Sequence, residues 1–464
     1  MKTPIENKNI DEILEGILES LTKVNFRELA GKKYVEDPEK NKLQIKHYVV
    51  PTIDHVLEQA NTNGYSLCQH HESIFLYNGT HWTLLADEKL KAFLGECSKK
   101  LGMDETTAKF FQFRETLYNQ FQSAAYLGRP EPLRGTVLIN LQNGTYEVNE
   151  KENKLRGFRS QDFLTYQLPF SFDDTATAPK FQKYLNEVLP DKSLQDILAE
   201  YIGYVFVRHL KLEKVLLLYG SGANGKSVFF EIVNALLGEQ NISNFSFTSL
   251  NNEAFRAKLA NKLLNYGSEI KGSLESDIFK QLASGEPVEA KALYKDPFTM
   301  KDYAKLMFNC NELPKDVEHN EAYFRRFLIV PFLVTIPENE RNPELPQEII
   351  SRELSGIFNW VLEGLNKVLK NKGFTRSEVS RQFLDKYKKE SDSVAMFLEE
   401  DAFLPSISQT KPLSEFYLLY TTYCKANGVH PLGNKNFKNR LETHKIKCER
   451  KNYGNVCYVE STLF

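Results

Sequence analysis

Cysteine is scarce and unorganised in this sequence. The six cysteines, Cys68, Cys97, Cys310, Cys424, Cys448 and Cys457, are scattered over 464 residues without a C-x-x-C pair. Cys68 stands near His70 and His71, but no second Cys/His pair follows at ligand spacing, so zinc is not expected and reduced, unpaired thiols are. Long hydrophobic runs are also missing. The longest, Phe327 to Val334, is interrupted by Pro331 and falls well short of the ~18 residues that span a bilayer. The N-terminus, MKTPIENKNIDEILEG, lacks the continuous apolar core of a signal peptide. No membrane association is therefore expected, and the cytoplasm is the expected location. Internal repeats and low-complexity tracts are absent as well.

What is present is ordinary for a folded protein: 41% hydrophobic and 26% charged residues, in a length that suggests two to four domains. The net charge of -2 conceals an uneven distribution. From Lys411 onward nine basic residues face four acidic ones, so a basic end sits on a mildly acidic body. Such an end reads either as a polyanion contact or as a solvated charged face.

Residues 1–60 read as polar helices and linker. Residues 61–205 read as a mainly helical domain with two hairpins, turning at Asn78-Gly79 and Asn143-Gly144, where Asn-Gly supplies the backbone that a tight turn requires. A helical stretch from about Asp87 to Tyr126 lies between them, and two amphipathic helices close the domain. Residues 206–375 alternate strands and helices, the pattern of a parallel α/β sheet, and end in a helical pair over 345–371. Residues 376–464 begin with a charged connector, RSEVSRQFLDKYKKESD, and continue as a small domain with a helix followed by a β-wing turning at Gly454.

The chemistry concentrates in KVLLLYGSGANGKSVFFEIVNALLG. Gly220, Ser221, Gly222, Ala223, Asn224, Gly225, Lys226 and Ser227 fit G-x-x-x-x-G-K-[ST] in full, between an apolar strand and a helix. In that context backbone N–H groups turn towards phosphate oxygens, Lys226 reaches the outer phosphates, the Ser227 hydroxyl ligates Mg²⁺, and the helix dipole adds positive potential. ATP with Mg²⁺ is the expected ligand pair. The next strand, NKLLNYGSEI, offers Glu269 as the acid that holds Mg²⁺ and orients the attacking water; the bland alternative is a surface carboxylate. Asp277 is a weaker substitute. A third strand ends at Asn311, which can hold that water or merely cap a turn. Arg325 and Arg326 precede a further buried strand, and can pair within the subunit or reach a neighbour's γ-phosphate. Glu269 lies 43 residues after Lys226, Asn311 a further 42 and Arg325 a further 14, spacings that suit successive strand ends of one sheet.

Together these motifs resemble superfamily III helicases, in the phage, plasmid and poxvirus branch usually called primase-helicases. GSGANGKS matches that branch's Walker A segment, GSEI its Walker B, FNCNELP its motif C and YFRRFLIVPF its arginine-finger segment. LQNGTYEVN, FLTYQLPFSFDD and LAEYIGYVF resemble its N-terminal helical domain, and the last domain resembles its winged helix. The resemblance spans about residue 65 to 464. It implies an AAA+-like ATPase core with a parallel sheet, a ring that is usually hexameric, and ATP between subunits. It also implies single-stranded DNA in the channel and movement that is typically 3′ to 5′. A hairpin between Walker B and motif C implies DNA contacts from Lys291, Tyr294, Lys295 and Lys301, with Phe298 as a further aromatic. Walker B carries one acid where many such ATPases carry two.

The expected activity is DNA unwinding driven by ATP, on single-stranded and forked DNA, for replication of a phage, plasmid or other mobile element in a bacterial host. No cluster of acids and His precedes the helical domain, so priming is expected from a separate primase or polymerase. Two other readings stand beside this one: an initiator that melts an origin, and a DNA-binding scaffold for a partner primase.

Overall fold

The computed structural model describes residues 9–70, 73–127, 135–149, 151–268, 270, 275–292, 296–314, 319–452 and 454–461. Contacts divide the chain into two units, Met1–Thr175 with Leu236–Gly238, and Ala176–Ala235 with Glu239–Phe464.

In the first unit Asn9 starts the helix Ile10–Ser20 by a reciprocal cap. Its side chain accepts from the Glu12 amide and its own amide donates to the Glu12 carboxylate, both at 2.9 Å. Ile13 and Ile17 of that helix join Val49, Ile53, Leu90, Leu94, Leu117 and Phe121 in one core. Residues 9–60 thus share the core of the helices Asp87–Leu101 and Phe111–Ala124. Each expected hairpin carries a third strand. Ser66–His70, Ser73–Tyr77 and Trp82–Leu85 form one antiparallel sheet, and Val137–Leu141, Gly144–Val148 and Asn153–Arg156 another.

The second unit opens with α1 (Pro179–Val188) and α2 (Lys192–Tyr204). Its sheet comprises β1 (Val215–Tyr219), β2 (Ile242–Ser243), β3 (Leu264–Gly267), β4 (Lys305–Cys310) and β5 (Phe327–Pro331), in the spatial order β5-β1-β4-β3-β2 and parallel throughout. Val215 to Leu218 are wholly buried, as a central parallel strand covered on both faces must be. This order and the loop after β1 make an AAA+-like core. Helix α3 (Lys226–Leu237) follows β1, α4 (Ser276–Ser284) follows β3, and α5 (Leu345–Asn371) follows β5.

Helices α1 and α2, which the sequence places with the N-terminal domain, pack in this second unit against α5. The Glu353 carboxylate on α5 accepts from the Lys180 and Phe181 amides at 3.1 and 2.9 Å, satisfying the first turn of α1. Glu200 on α2 accepts from the Thr375 amide and hydroxyl at 2.7 and 2.6 Å. The α2–α5 approach is close enough to need glycine. A Cβ on Gly364 would stand 2.3 Å from the Ala199 carbonyl carbon and 2.5 Å from the Glu200 amide nitrogen. Gly364→Ala is therefore expected to destabilise by at least the upper end of the ~1–3 kcal/mol typical of overpacking, because backbone cannot move aside as a side chain does. That outweighs the ~1 kcal/mol by which alanine favours a helix over glycine. The midpoint of denaturant unfolding checks it, and an unchanged midpoint contradicts it.

Two further elements differ from expectation. The 345–371 segment is one 27-residue helix rather than a pair. The charged connector is a helix, α6 (Glu378–Glu390), whose Tyr387 is buried in the sheet's core with Phe327 and Tyr323. The small domain begins after it: α7 (Ser393–Glu400), β6 (Lys411–Pro412), α8 (Leu413–Ala426), α9 (Asn434–Thr443), β7 (Cys448–Lys451) and β8 (Gly454–Cys457), with β6-β8-β7 forming an antiparallel sheet. Three helices and a hairpin in this order are a winged-helix topology. Asp392 caps α7 by accepting from the Val394 and Ala395 amides at 3.1 Å each. Burial alone would raise its carboxyl, but His444 and Arg440 hold it well below the usual range.

Candidate nucleotide site

In an open parallel α/β sheet, ligands bind outside the carboxyl ends of the strands. There β1 releases the chain at Gly220. The register sets Cys310 and Pro331 both opposite Tyr219, so Asn311 leaves β4 level with Gly220. The Gly220 amide donates to the Cys310 carbonyl at 3.0 Å, and the Phe332 amide to the Tyr219 carbonyl at 2.7 Å. Gly220 tolerates no side chain: a Cβ would lie 2.1 Å from Asn224 Nδ2 and 2.6 Å from the Phe332 oxygen. Gly222 and Gly225 have φ of +110° and +88°, and Ala223 +49°, so the loop winds through left-handed backbone, where glycine is cheapest. The Tyr184 hydroxyl donates to the Gly225 carbonyl at 2.8 Å, and the Ile336 amide to the Ala223 carbonyl at 2.8 Å. Both loop edges are thereby pinned.

Lys226 lies inside this loop, 6% exposed. Its Nζ donates to the Gly220 carbonyl at 2.7 Å and to Asn224 Oδ1 at 2.9 Å. Asn224, itself buried, donates through Nδ2 to the Phe332 carbonyl at 3.0 Å. Burial lowers the Lys226 pKa. Ser221, Ala223 and Ser227 are exposed, with Ser227 in the first turn of α3, where amides have no intrahelical acceptor. The arrangement fits a nucleotide's phosphates: a pinned concave loop, a helix start, an ammonium whose partners among the described residues are neutral oxygens, and an exposed hydroxyl suited to Mg²⁺.

The remaining site residues fall at three places. Asn311 is exposed at the end of β4. Beside it Asn309 is buried and accepts from the Tyr266 hydroxyl at 2.9 Å, a β4–β3 tie that sequence reasoning missed. Glu269 lies outside the described residues. The strand that leads to it, β3, runs parallel to β4 with Gly267 opposite Phe308, and Ser268 is exposed. Asp277 stands in the first turn of α4, ion-paired with Lys280 at 3.7 Å.

The two arginines sit at the opposite end of the strands, just before the amino end of β5. Phe327 pairs with Val215, the first residue of β1, so Arg325 and Arg326 are a strand length, roughly 16 Å at ~3.3 Å per residue, from their own phosphate loop. Arg326 is buried, bonded to the Ala322 carbonyl and, at 3.0 Å, to Ser284 Oγ. The Arg325 side chain is 50% exposed and pairs with Glu213 Oε2 at 2.6 Å; the same oxygen lies 3.5 Å from Arg326. Glu213, which sequence reasoning did not single out, holds φ +54°, a conformation uncommon outside glycine.

The hairpin between β3 and β4 is Val288–Lys291 paired antiparallel with Pro297–Met300. Lys291 is exposed at its tip and Lys301 exposed beyond its base; Tyr294 and Lys295 lie outside the described residues. Phe298 packs against the core and is not presented for stacking.

Three family models match in chain order. One described as D5 N terminal like matches residues 29–190, a family of unknown function, DUF5906, matches 218–326, and one described as Poxvirus D5 protein-like matches 389–462. Each model matches a separate part of the chain, and two of the three descriptions refer to D5. The second match runs from the phosphate-loop strand to the arginine pair, and the third begins in the last turn of α6 and runs through the winged helix. Among curated proteins, the chain is 24% identical over 359 residues to one described as a helicase from Acanthamoeba polyphaga mimivirus, covering 70% of this chain and 37% of the relative. It is 25% identical over 241 residues to a second, described likewise, from Invertebrate iridescent virus 3, covering 47% and 25%. It thus spans little more than a third of one relative's length and a quarter of the other's. Among solved structures, an apo form of the NrS-1 C terminal region has 12% identity and a TM-score of 0.48, covering 87% of this chain and 98% of that one. Among the described residues, no helix is long and apolar enough to cross a membrane.

Proposed function

We propose that this chain is an ATP-dependent DNA helicase for replication of a phage, plasmid or other mobile element, working as a ring on single-stranded DNA at a fork. The observation that carries this reading is the split of one sheet. The phosphate loop and Asn311 leave the carboxyl ends of β1 and β4, and the exposed Arg325 precedes the amino end of β5, out of its own loop's reach. A site divided this way is complete only between copies, which is the logic of a ring. The viral relatives described as helicases support the same reading.

In this mechanism the loop amides of Gly220 to Ser227 orient the ATP phosphates. Lys226 exchanges its bonds to Gly220 and Asn224 for phosphate oxygens. Ser227 and Glu269 would hold Mg²⁺, which would offset charge on the outer phosphates. Glu269 takes the proton of the attacking water, Asn311 positions that water, and Arg325 of the neighbouring copy neutralises charge on the transferring phosphoryl group. Lys291, Lys295 and Lys301 track DNA phosphates, and Tyr294 stacks on a base. A separate primase or polymerase is the expected partner.

The winged helix favours a second reading, an origin-melting initiator, because its basic hairpin suits a duplex. One experiment separates them. Wild-type chain, sized by native mass, is tested for ATP-dependent separation of a forked duplex. Unwinding that persists as the duplex lengthens is the expected result. Hydrolysis stimulated by single strands with no separation overturns the helicase reading and leaves the initiator.

A further inference from the structure

Cys448 and Cys457 face each other across the wing. They are directly paired on β7 and β8, with their Sγ atoms 3.0 Å apart. The Tyr458 amide donates to the Lys447 carbonyl at 2.8 Å, one residue outside the pair on each strand, so the two cysteines occupy a non-hydrogen-bonded position of the ladder. Cα atoms at such positions stand about 4.5 Å apart, within the ~4.4–6.8 Å that a disulfide bridges. Bond formation there needs no backbone rearrangement. Cys448 is half-buried beside the exposed Lys447, whereas Cys457 is fully buried. Of the other four cysteines, all buried, Cys68, Cys97 and Cys310 lie in other cores, and Cys424 shares the core of Cys457.

We propose that Cys448 and Cys457 are a reversible redox site, converted to a cross-strand disulfide by a low-molecular-weight disulfide of the glutathione type, which locks the wing hairpin. The Cys448 thiolate attacks one sulfur of the reagent, breaking its S–S bond and releasing one thiolate. Cys457 passes its proton to that thiolate and attacks Cys448 Sγ, expelling the second. Two protein thiols become one disulfide and the reagent becomes two thiols, so atoms and electrons balance. The order of attack follows the surroundings. The hydrogen bond from Cys457 holds the Cys448 thiol below its ordinary value, and that bond together with burial pushes the Cys457 thiol up. The accessible sulfur is thus also the more readily ionised. Oxidation ties the strand carrying Arg450 and Lys451 to its partner and fixes the register of the hairpin.

The test treats the full native chain with oxidised glutathione, then counts alkylatable thiols after unfolding and maps linked peptides. Two of the six thiols are expected to disappear, with a peptide joining Cys448 to Cys457 and full recovery on adding dithiothreitol. Cys448→Ser, a small change at a half-buried strand position, is expected to leave all its remaining thiols reduced under the same treatment. Wild type that keeps six thiols, or that stops at a glutathione adduct on Cys448, overturns the proposal. So does loss of two thiols in the Cys448→Ser chain. Should that variant fail to fold, the wild-type peptide map still decides.

Discussion

Replacing Arg325 by alanine is expected to cut ATP hydrolysis by about 10³–10⁵-fold, the range a transition-state arginine supplies, while the chain still folds and assembles. The expectation rests on two contrasts in the structure. Arg325 stands a strand length from its own phosphate loop, so its effect on hydrolysis has to be exerted on another copy. Among the described residues its side chain pairs with Glu213, half exposed, and exposed pairs of this kind are worth ~0.2–1 kcal/mol. Releasing Arg325 towards a neighbour's phosphate is therefore cheap. Arg326 is the opposite case. It is buried against Ser284 and the Ala322 carbonyl, so Arg326→Ala is expected to act on stability, by ~1–3 kcal/mol for the buried groups left unpaired. Mixing separates an effect in trans from one in cis. Lys226→Ala chains carry an intact Arg325, and Arg325→Ala chains carry an intact loop. Mixed rings then contain interfaces with both, and hydrolysis is expected to recover. Two inactive variants that assemble together yet recover nothing would rule out the assignment.

The parts of this site that were legible in the sequence are those whose chemistry leaves no freedom of composition. A phosphate loop needs glycine at set positions, and here Gly220 is hemmed by Asn224 and the Phe332 carbonyl while Gly222 and Gly225 take positive φ. The apolar run Val215 to Leu218 announced a strand buried on both faces. What escaped notice depends on tertiary packing. Helix α6 reads as a solvated connector because lysines and acids outnumber its apolar residues; only Phe383, Leu384 and Tyr387, at helical spacing, mark the face that joins the core. The amphipathic pattern of the 176–204 helices records that they bury a face, not that α5 covers it. Glu213 carries no motif at all. Its importance comes from a left-handed turn that sets one carboxylate beside both arginines, a relation that spacing along the chain does not encode.

Lys226→Ala is expected to lower hydrolysis by about 10²–10³-fold, the cost of removing one preorganised charge from a transition-state site, with little loss of folding stability. The two effects separate because of what the ammonium does without nucleotide. It sits buried with two neutral oxygens as partners, the Gly220 carbonyl and Asn224 Oδ1, an environment that disfavours its charge. A buried cation with no anionic partner among the described residues is stabilised when phosphate oxygens arrive, so desolvation already spent in folding becomes affinity for the outer phosphates. Lys226→Arg is expected to fail as alanine does. Nζ is held at 2.7 Å by the Gly220 carbonyl and at 2.9 Å by Asn224 Oδ1 in a buried pocket, and a planar guanidinium with a wider donor fork does not match those two acceptors as a compact ammonium does. Steady-state hydrolysis on single-stranded DNA, read beside a denaturation midpoint for each variant, provides the check. Alanine that keeps more than about a tenth of the wild-type rate, well above the range expected for a lost transition-state charge, would show that Lys226 pins the loop and that the phosphate charge is met elsewhere.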